Sequence, residues 1–122
     1  MAGTVTVAET RHTSVKQIIW DWLSAAGGNA DQATTYTYDG ALISVTFEPD
    51  SGGTQPTDNY DITITDANSV DVLAGNGANL SNAASVLKTT ADGLGAVVAS
   101  ALTLNVTNAG NAKGGKVYLT LR

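Results

Sequence analysis

Apolar and polar residues alternate with a period of two along most of this chain, a pattern typical of β-strands with one buried face. The clearest case is residues 60–65, where Tyr60, Ile62 and Ile64 alternate with Asp and Thr. The same pattern predicts strands at residues 4–7, 15–23, 34–38, 41–47, 60–65, 70–73, 97–107 and 116–122. About seven or eight short antiparallel strands predict an all-β fold: a single-domain β-sandwich, a jelly roll or a small barrel.

Gly, Asn, Asp and Pro mark the turns between these segments. Asp39-Gly40 lies between two alternating runs and predicts a tight hairpin turn, because both residues tolerate positive φ. Residues 24–31 and 48–58 are loops by composition. Residues 66–69 form a turn of Asx type, in which side-chain oxygens cap nearby backbone amides.

The local structure of residues 75–95 is left open by the sequence. Residues 79–89 fit one short helix, with Ser81 or Asn82 as its N-cap. Asn and Thr are poor helix formers, so an extended arm or loop over residues 76–94 fits as well. The predicted fold therefore contains at most one short helix.

The chain length and the absence of cysteine limit the size and chemistry of the fold. The 122 residues suffice for one core, so we expect a single β domain over residues 1–122 without disulfides or thiolate metal sites. No apolar run reaches the roughly 20 residues of a membrane-spanning helix. Residues 1–5 also lack the pattern of a secretion signal. We therefore expect no membrane partner, and a protein that stays in the cell that makes it or leaves by lysis.

The charges are few and are segregated along the sequence. Only 14% of the residues are charged, and the net charge is −5. Between residues 17 and 87 there are nine acidic residues and no Lys or Arg. Nucleic-acid binding needs a clustered basic surface, so we predict no nucleic-acid partner. The acidic surface is expected to keep the protein soluble, or to steer the basic end of one subunit toward another.

No catalytic or transition-metal motif occurs in the sequence. The single histidine, His12, has no G-x-S-x-G motif to accompany it and is predicted to lie in an exposed loop. The acids of residues 58–61 and 66–71 superficially resemble calcium loops but lack the spacing and the closing Glu of an EF-hand. We interpret them as turn-capping side chains, and the alternative is a calcium site assembled from two loops at one end of the sandwich. The sequence thus predicts a protein that is not an enzyme, with no catalytic residue, cofactor or metal.

Trp20 and Trp22 are the largest side chains, and they share one face of the strand over residues 15–23 with Ile18. Two readings follow. We interpret the pair as part of the core, because a large apolar residue lies beside them on the same face. The alternative is a stacking platform for sugars on an exposed face.

Residues 53–66 and 70–75 (GTQPTDNYDITITD and VDVLAG), together with residues 102–117 (LTLNVTNAGNAKGGKV), resemble small virion proteins of tailed bacteriophages. The resemblance covers roughly the C-terminal two-thirds of the chain and includes no catalytic motif. It implies a head decoration or cement protein that binds the outside of the capsid and stabilises the head. The implied partners are the major capsid protein and further copies of the chain, as a dimer or trimer.

That resemblance also implies assembly in the bacterial host cytoplasm and a final place on the capsid surface of the virion. The segments expected to contact the capsid are residues 1–4, 48–58 and 75–95, which the core does not explain. The alternative function is a tail or fibre component, or an immunoglobulin-like adhesive module, that binds host surface glycans. Trp20, Trp22 and the acidic loops would then form the site.

Overall fold

A computed structural model describes residues 3–122, and nine β-strands but no α-helix occur within that range. The strands are β1 (Thr4–Thr10), β2 (Lys16–Leu23), β3 (Ala30–Ala33), β4 (Tyr38–Pro49), β5 (Asp61–Thr65), β6 (Val86–Thr89), β7 (Val97–Ser100), β8 (Thr103–Thr107) and β9 (Gly114–Leu121). Short 3-10 turns cover Gly52–Thr54 and Thr90–Asp92. The prediction of an all-β fold is confirmed. No helix of residues 3–122 has the length and apolarity needed to cross a membrane.

The strands form two antiparallel sheets that enclose one core as a β-sandwich. The larger sheet has the order β1-β2-β9-β4-β6, and β7 pairs with the first residues of β4. The smaller sheet has the order β3-β8-β5. Because β9 lies between β2 and β4, the last strand of the chain occupies the middle of the larger sheet.

Alternate side chains of both sheets fill the core, as the period-two pattern predicts. Ile18, Trp20 and Trp22 of β2 lie beside the inward residues of β9 and β4. Ile62 and Ile64 of β5 belong to the same buried cluster. Burial of these large side chains supplies most of the stabilising free energy of a domain without disulfides.

Asp39-Gly40 lies inside β4 and does not form the predicted hairpin turn. Gly40 has φ of 128°, and a Cβ atom there would lie 2.8 Å from the carbonyl oxygen of Arg122. The backbone groups of Ala41 and Arg122 exchange two hydrogen bonds at 2.9 and 3.0 Å. Glycine is used here for the close approach of another strand, so the local turn signal is misleading.

The predicted strand at residues 34–38 is a loop up to Thr37, and β3 lies partly within the predicted loop at 24–31.

A β-bulge at Ile43 changes which residues of β4 face the core. The pairing of β4 with β9 shifts between Leu42 and Ser44. Leu42 is therefore buried together with Val45 and Phe47, whereas strict alternation over the predicted strand 41–47 would place Ile43 on that face. One extra residue reverses the alternation on one side of the bulge.

Two other predicted strands differ from the structure. Residues 97–107 form two strands in different sheets, because the chain crosses from one sheet to the other after Ser100. Thr34 holds this crossing: its hydroxyl accepts from the Leu102 amide at 3.1 Å. Residues 70–73 contribute only the bridge between Thr65 and Asp71, followed by a series of turns. The Asx turn at 66–69 is confirmed, since the Asp66 carboxylate accepts from the Asn68 amide at 2.9 Å.

Residues 76–94 contain neither the predicted α-helix nor an unattached arm. Leu80 is buried and bridges Tyr60, and Leu94 is buried as well. Between them lie β6 and the 3-10 turn Thr90–Asp92, which is capped by Thr89: the Thr89 amide donates to the Asp92 carboxylate at 2.9 Å. The loop at 48–58 is attached too, because Gln55 Nε2 donates to the Asn82 carbonyl at 2.8 Å. Of the predicted contact segment 1–4, residues 1 and 2 lie outside the described residues.

Candidate functional site

Both tryptophans lie in the core. The interpretation of Trp20 and Trp22 as core residues therefore agrees with the structure, whereas the alternative of an exposed stacking platform for sugars disagrees with it. Trp20 is 0% exposed and Trp22 is 2% exposed. The rings of Trp22 and Tyr60 pack with centroids 5.7 Å apart at an interplanar angle of 44°. The Trp20 Nε1 hydrogen is buried without an acceptor within residues 3–122. Neither ring offers a face to a ligand in solution.

His12 and the acidic loops do not come together as a site. His12 is exposed in the β1–β2 loop. The Asp71 carboxylate accepts from the backbone amides of Ile64, Leu73 and Gly75 at 3.1 to 3.2 Å. It therefore caps the turns around it, as the sequence interpretation proposed. In the described range 3–122 no three His, Asp or Glu side chains are arranged to hold a metal ion.

All seven aromatic residues lie within residues 3–122, and two of their rings remain partly accessible. The five buried ones of the seven in the sequence are Trp20, Trp22, Tyr38, Phe47 and Tyr60. Tyr36 is 43% exposed, but the guanidinium carbon of Arg11 lies 3.6 Å from its ring centroid and covers one face. Tyr118 is half-buried, and within residues 3–122 no cation lies over it.

The solvent-facing side of the larger sheet, called the outer face below, carries Tyr118 at its centre. Tyr118 lies on β9, the middle strand of five. Its neighbours in register are Ile19 on β2 and Thr46 on β4, with Ala8 on β1 and Leu87 on β6 beyond them. This row crosses the sheet as a mostly apolar strip with a phenol in the middle.

Polar side chains border the strip on both sides. The row toward the start of β9 consists of Thr6, Asp21, Lys116 and Glu48. The row toward its end consists of Thr10, Gln17, Thr120, Ser44 and Thr89. The Tyr118 hydroxyl donates to Oε1 of Glu48 at 3.4 Å, which orients the ring across β4. An apolar strip between two rows of donors and acceptors matches a ligand that has both apolar faces and hydroxyl edges.

A cavity of about 250 Å³ continues the outer face beside Gly114. Its lining residues are Thr4, Thr6, Asp21, Trp22, Leu23 and Asp50. Asp50 lies over β9 because Gly114 has no side chain: a Cβ there would be 2.5 Å from Asp50 Oδ2. Burial, followed by the nearby Asp50 charge, raises the pKa of the Tyr60 phenol to about 12.

The outer side of the smaller sheet is a poorer candidate. Its outward residues include Asp31, Asn105 and Thr63 in one row and Ala33, Thr103 and Thr65 in the next. Asn105 donates to Thr65 at 3.2 Å, so part of its polar capacity is already used. None of these outward side chains is aromatic. A ring with its apolar face would find no stacking partner there.

A polar cluster at the end of β1 has a structural role. Tyr38 Oη donates to Glu9 Oε1 at 2.8 Å, and the amides of Thr35 and Tyr36 donate to the same carboxylate at 3.0 and 3.3 Å. Burial by itself would raise the pKa of Glu9, but the hydrogen bonds from Tyr38 and the two amides outweigh it and lower that pKa. Burial and the Glu9 carboxylate raise the pKa of Tyr38 above its ordinary value. The cluster ties β1 to the loop before β4.

Comparison with known proteins gives one informative result. No protein-family model and no curated protein matches the sequence. A solved structure described as a low-affinity xylan-binding module, CBM86, from the xylanolytic gut symbiont Roseburia intestinalis matches with a TM-score of 0.54 at 11% identity. The match covers 98% of this chain and 84% of that one. At this identity the likeness shows the fold alone, a β-sandwich.

This result overturns the prediction of a head decoration or cement protein, which is wrong. The solved structure with the same fold is a polysaccharide-binding module, and nothing in the comparisons is specific to phages. The predicted alternative, a glycan-binding module, is favoured instead. Sequence reasoning placed that alternative on Trp20 and Trp22 and missed Tyr118. The signal for Tyr118 was its position between Val117 and Leu119 in an alternating strand.

Proposed function

We propose that this chain is a non-catalytic module that binds uncharged polysaccharides on the outer face. The observation that carries the proposal is Tyr118, an accessible ring at the centre of a strand face, bordered by rows of polar side chains. The fold it shares with a xylan-binding module supports the same reading. The ligand is proposed as a class, the neutral polysaccharides.

The chemistry of the outer face suits sugars. A pyranose ring has an apolar C–H face that stacks on an aromatic ring, and hydroxyl groups around its edge that need donors and acceptors. Tyr118 supplies the ring, while Glu48 and Asp21 accept hydrogen bonds and Lys116 donates them. Such a sheet face suits the interior of a long chain, whereas a closed pocket suits a chain end.

The charges of the face select against polyanions. Asp21 and Glu48 lie in register on either side of Lys116, Asp50 lies at Gly114 of the same strand, and the whole chain carries a net charge of −5. A polyuronate or a sulfated glycan brought to this face would meet like charges at close range. We therefore expect uncharged glycans such as xylans, glucans and mannans to bind, and polyuronates not to bind.

The module is proposed to bind without cleaving its ligand. Glycoside hydrolysis needs two carboxyl groups placed on opposite sides of the scissile bond. Asp21 and Glu48 lie on the same open face, with Lys116 between them in register. Incubation with each bound polysaccharide should release no reducing ends, and release of reducing ends would contradict this part of the proposal.

The direct test is native affinity electrophoresis in gels that contain xylan, mixed-linkage glucan, galactomannan or polygalacturonate. The wild-type protein should be retarded by at least one neutral polysaccharide and not by polygalacturonate. Tyr118→Ala should lower the affinity about tenfold or more, or ~1.4 kcal/mol. Tyr36→Ala is the matched control, since it removes the other accessible tyrosine, and it should bind as wild type does.

Two results would overturn the proposal. The first is a folded wild-type protein that none of the neutral polysaccharides retards. The second is a Tyr118→Ala variant that binds as tightly as the wild type, which would place the binding surface elsewhere. Circular dichroism of each variant separates loss of binding from loss of the fold.

A further inference from the structure

We infer that the cavity beside Gly114 is a second sugar subsite, so that the ligand runs from Tyr118 across the Asp21–Lys116 row and into this cavity. The inference rests on the proposed function and extends it, because it predicts how affinity depends on the length of the glycan. It is carried by the shape of the cavity, by the polar atoms in its lining and by its position relative to Tyr118.

Two features form the cavity: Gly114 has no side chain, and hydrogen bonds hold Asp50 in place. Gly114 is paired with Leu23 of β2, and its lack of a Cβ leaves room for Asp50 over the strand. The Asp50 amide donates to the Gly114 carbonyl at 3.0 Å, and Thr54 Oγ1 donates to Asp50 Oδ2 at 3.1 Å. These two contacts hold Asp50 as one wall, while Thr4 and Thr6 of β1 form the opposite wall.

The lining matches a sugar ring better than an ion or an apolar ligand. The hydroxyls of Thr4 and Thr6 both donate and accept hydrogen bonds, and the carboxylates of Asp21 and Asp50 accept them from sugar hydroxyls. Within residues 3–122, no protein group donates a hydrogen bond to the Asp21 carboxylate, so its acceptor capacity is directed to solvent. Leu23, 40% exposed, adds an apolar edge for a ring face.

The position of the cavity fits a chain that also stacks on Tyr118. Tyr118 on β9 pairs with Ile19 on the neighbouring strand β2, and Asp21 lies two residues further along β2. With a rise of about 3.4 Å per residue and a strand spacing of about 4.8 Å, the separation is on the order of 10 Å. One sugar ring cannot occupy both places, whereas a short oligosaccharide can. A second contact on the same ligand raises its affinity without any new contact at the first.

The test is isothermal titration calorimetry with oligosaccharides, from the disaccharide to the hexasaccharide, of whichever neutral polysaccharide retards the wild type most. For the wild type, affinity should rise about fivefold or more from disaccharide to hexasaccharide. In Asp21→Ala this rise should vanish, so that the hexasaccharide binds no more tightly than the disaccharide. Gly114→Ala, which displaces the Asp50 carboxylate, should have the same effect. Asp31→Ala, an exposed acid on the smaller sheet, is the matched control and should keep the full length dependence.

The outcomes separate the two proposals. If the wild type binds and Tyr118→Ala abolishes binding, but Asp21→Ala and Gly114→Ala keep the wild-type length dependence, the second subsite is refuted and the Tyr118 site stands. Equal wild-type affinity for disaccharide and hexasaccharide refutes the subsite as well. If the wild type binds no neutral polysaccharide, the proposed function fails and the subsite fails with it.

Discussion

The hydroxyl of Tyr118 lies 3.4 Å from Oε1 of Glu48 on the neighbouring strand, so the ring points across β4 from the centre of the outer face. Neutral side chains flank the ring in its own row, with Ile19 on one side and Thr46 on the other. The ring therefore has neutral neighbours across the sheet, in its own row, and polar neighbours along the strands, in the rows on either side. That combination distinguishes it from Tyr36, whose ring is covered by Arg11.

Tyr118→Phe should bind polysaccharide more tightly than Tyr118→Ala and less tightly than wild type. The phenylalanine keeps the stacking surface and loses only the hydroxyl with its contact to Glu48, a hydrogen bond of about 1 kcal/mol. We expect a loss of about two- to fivefold, measured by affinity electrophoresis. Equal losses in the Phe and Ala variants would mean that the hydroxyl, and not the ring face, carries the interaction.

Trp20→Ala should destabilise the fold by about 3–5 kcal/mol, because it removes a fully buried ring from the core. Trp20→Phe should cost clearly less, since it leaves a smaller cavity and removes an indole N–H that has no acceptor within residues 3–122. Urea denaturation measures both. At temperatures where Trp20→Phe is folded, its polysaccharide affinity should equal that of the wild type. A loss of affinity without a loss of the fold would instead support Trp20 as a stacking platform for sugars.

Glu9→Gln should weaken the dependence of stability on acid pH. The pKa of Glu9 in the folded state lies below its ordinary value of 4.5. The ionised carboxylate therefore stabilises the fold above pH 4.5, and this stabilisation is lost as the pH falls through the folded-state pKa. Urea midpoints at pH 7, 5, 4 and 3 should fall less steeply in the variant. Asp31→Asn, at an exposed acid, is the control and should follow the wild-type curve. Parallel curves for Glu9→Gln and wild type would contradict the assigned role.

Gly40→Ala should destabilise the protein by about 1–3 kcal/mol, because an L-residue at φ of 128° is strained and its Cβ would press on the Arg122 carbonyl. Gly53→Ala is the matched control: it has open space around the Cβ position and no positive φ, so it should change stability by no more than about 0.5 kcal/mol. Thermal denaturation compares the two. Equal effects would show that close approach to Arg122 is not what requires glycine at position 40.

Much of the fold is predictable from the alternation of residues. β1, β2, β5 and β9 lie where the period-two pattern places strands, and the inward residues of β2 are the predicted ones. This works because a strand that buries one face needs an apolar residue at every second position, and that requirement is local. The Asx turn at Asp66 was predictable for the same reason, since the acceptor and the amides it caps lie within four residues.

The errors arose where a distant strand decides the local conformation. Gly40 belongs to a continuous strand because the backbone of Arg122 pairs beside it, and no neighbour in sequence carries that information. The bulge at Ile43 and the passage of the chain between sheets after Ser100 likewise depend on pairing with strands far along the chain. The short strand β6 exists because β4 offers it an edge.

The sequence by itself determined the fold class, the buried faces of regular strands such as β2 and β5, and the lack of a recognisable catalytic motif. Strand order was decided only by the tertiary structure, and the candidate site depends on strand order. Tyr118 is an outward residue in any reading of its strand. It becomes the centre of the proposed binding face because β9 is inserted between β2 and β4, which brings Asp21 and Glu48 to either side of Lys116. Side chains from β2, β4 and β9, which are distant in sequence, lie side by side there. Their relative positions are fixed only by the register of backbone hydrogen bonds between these strands.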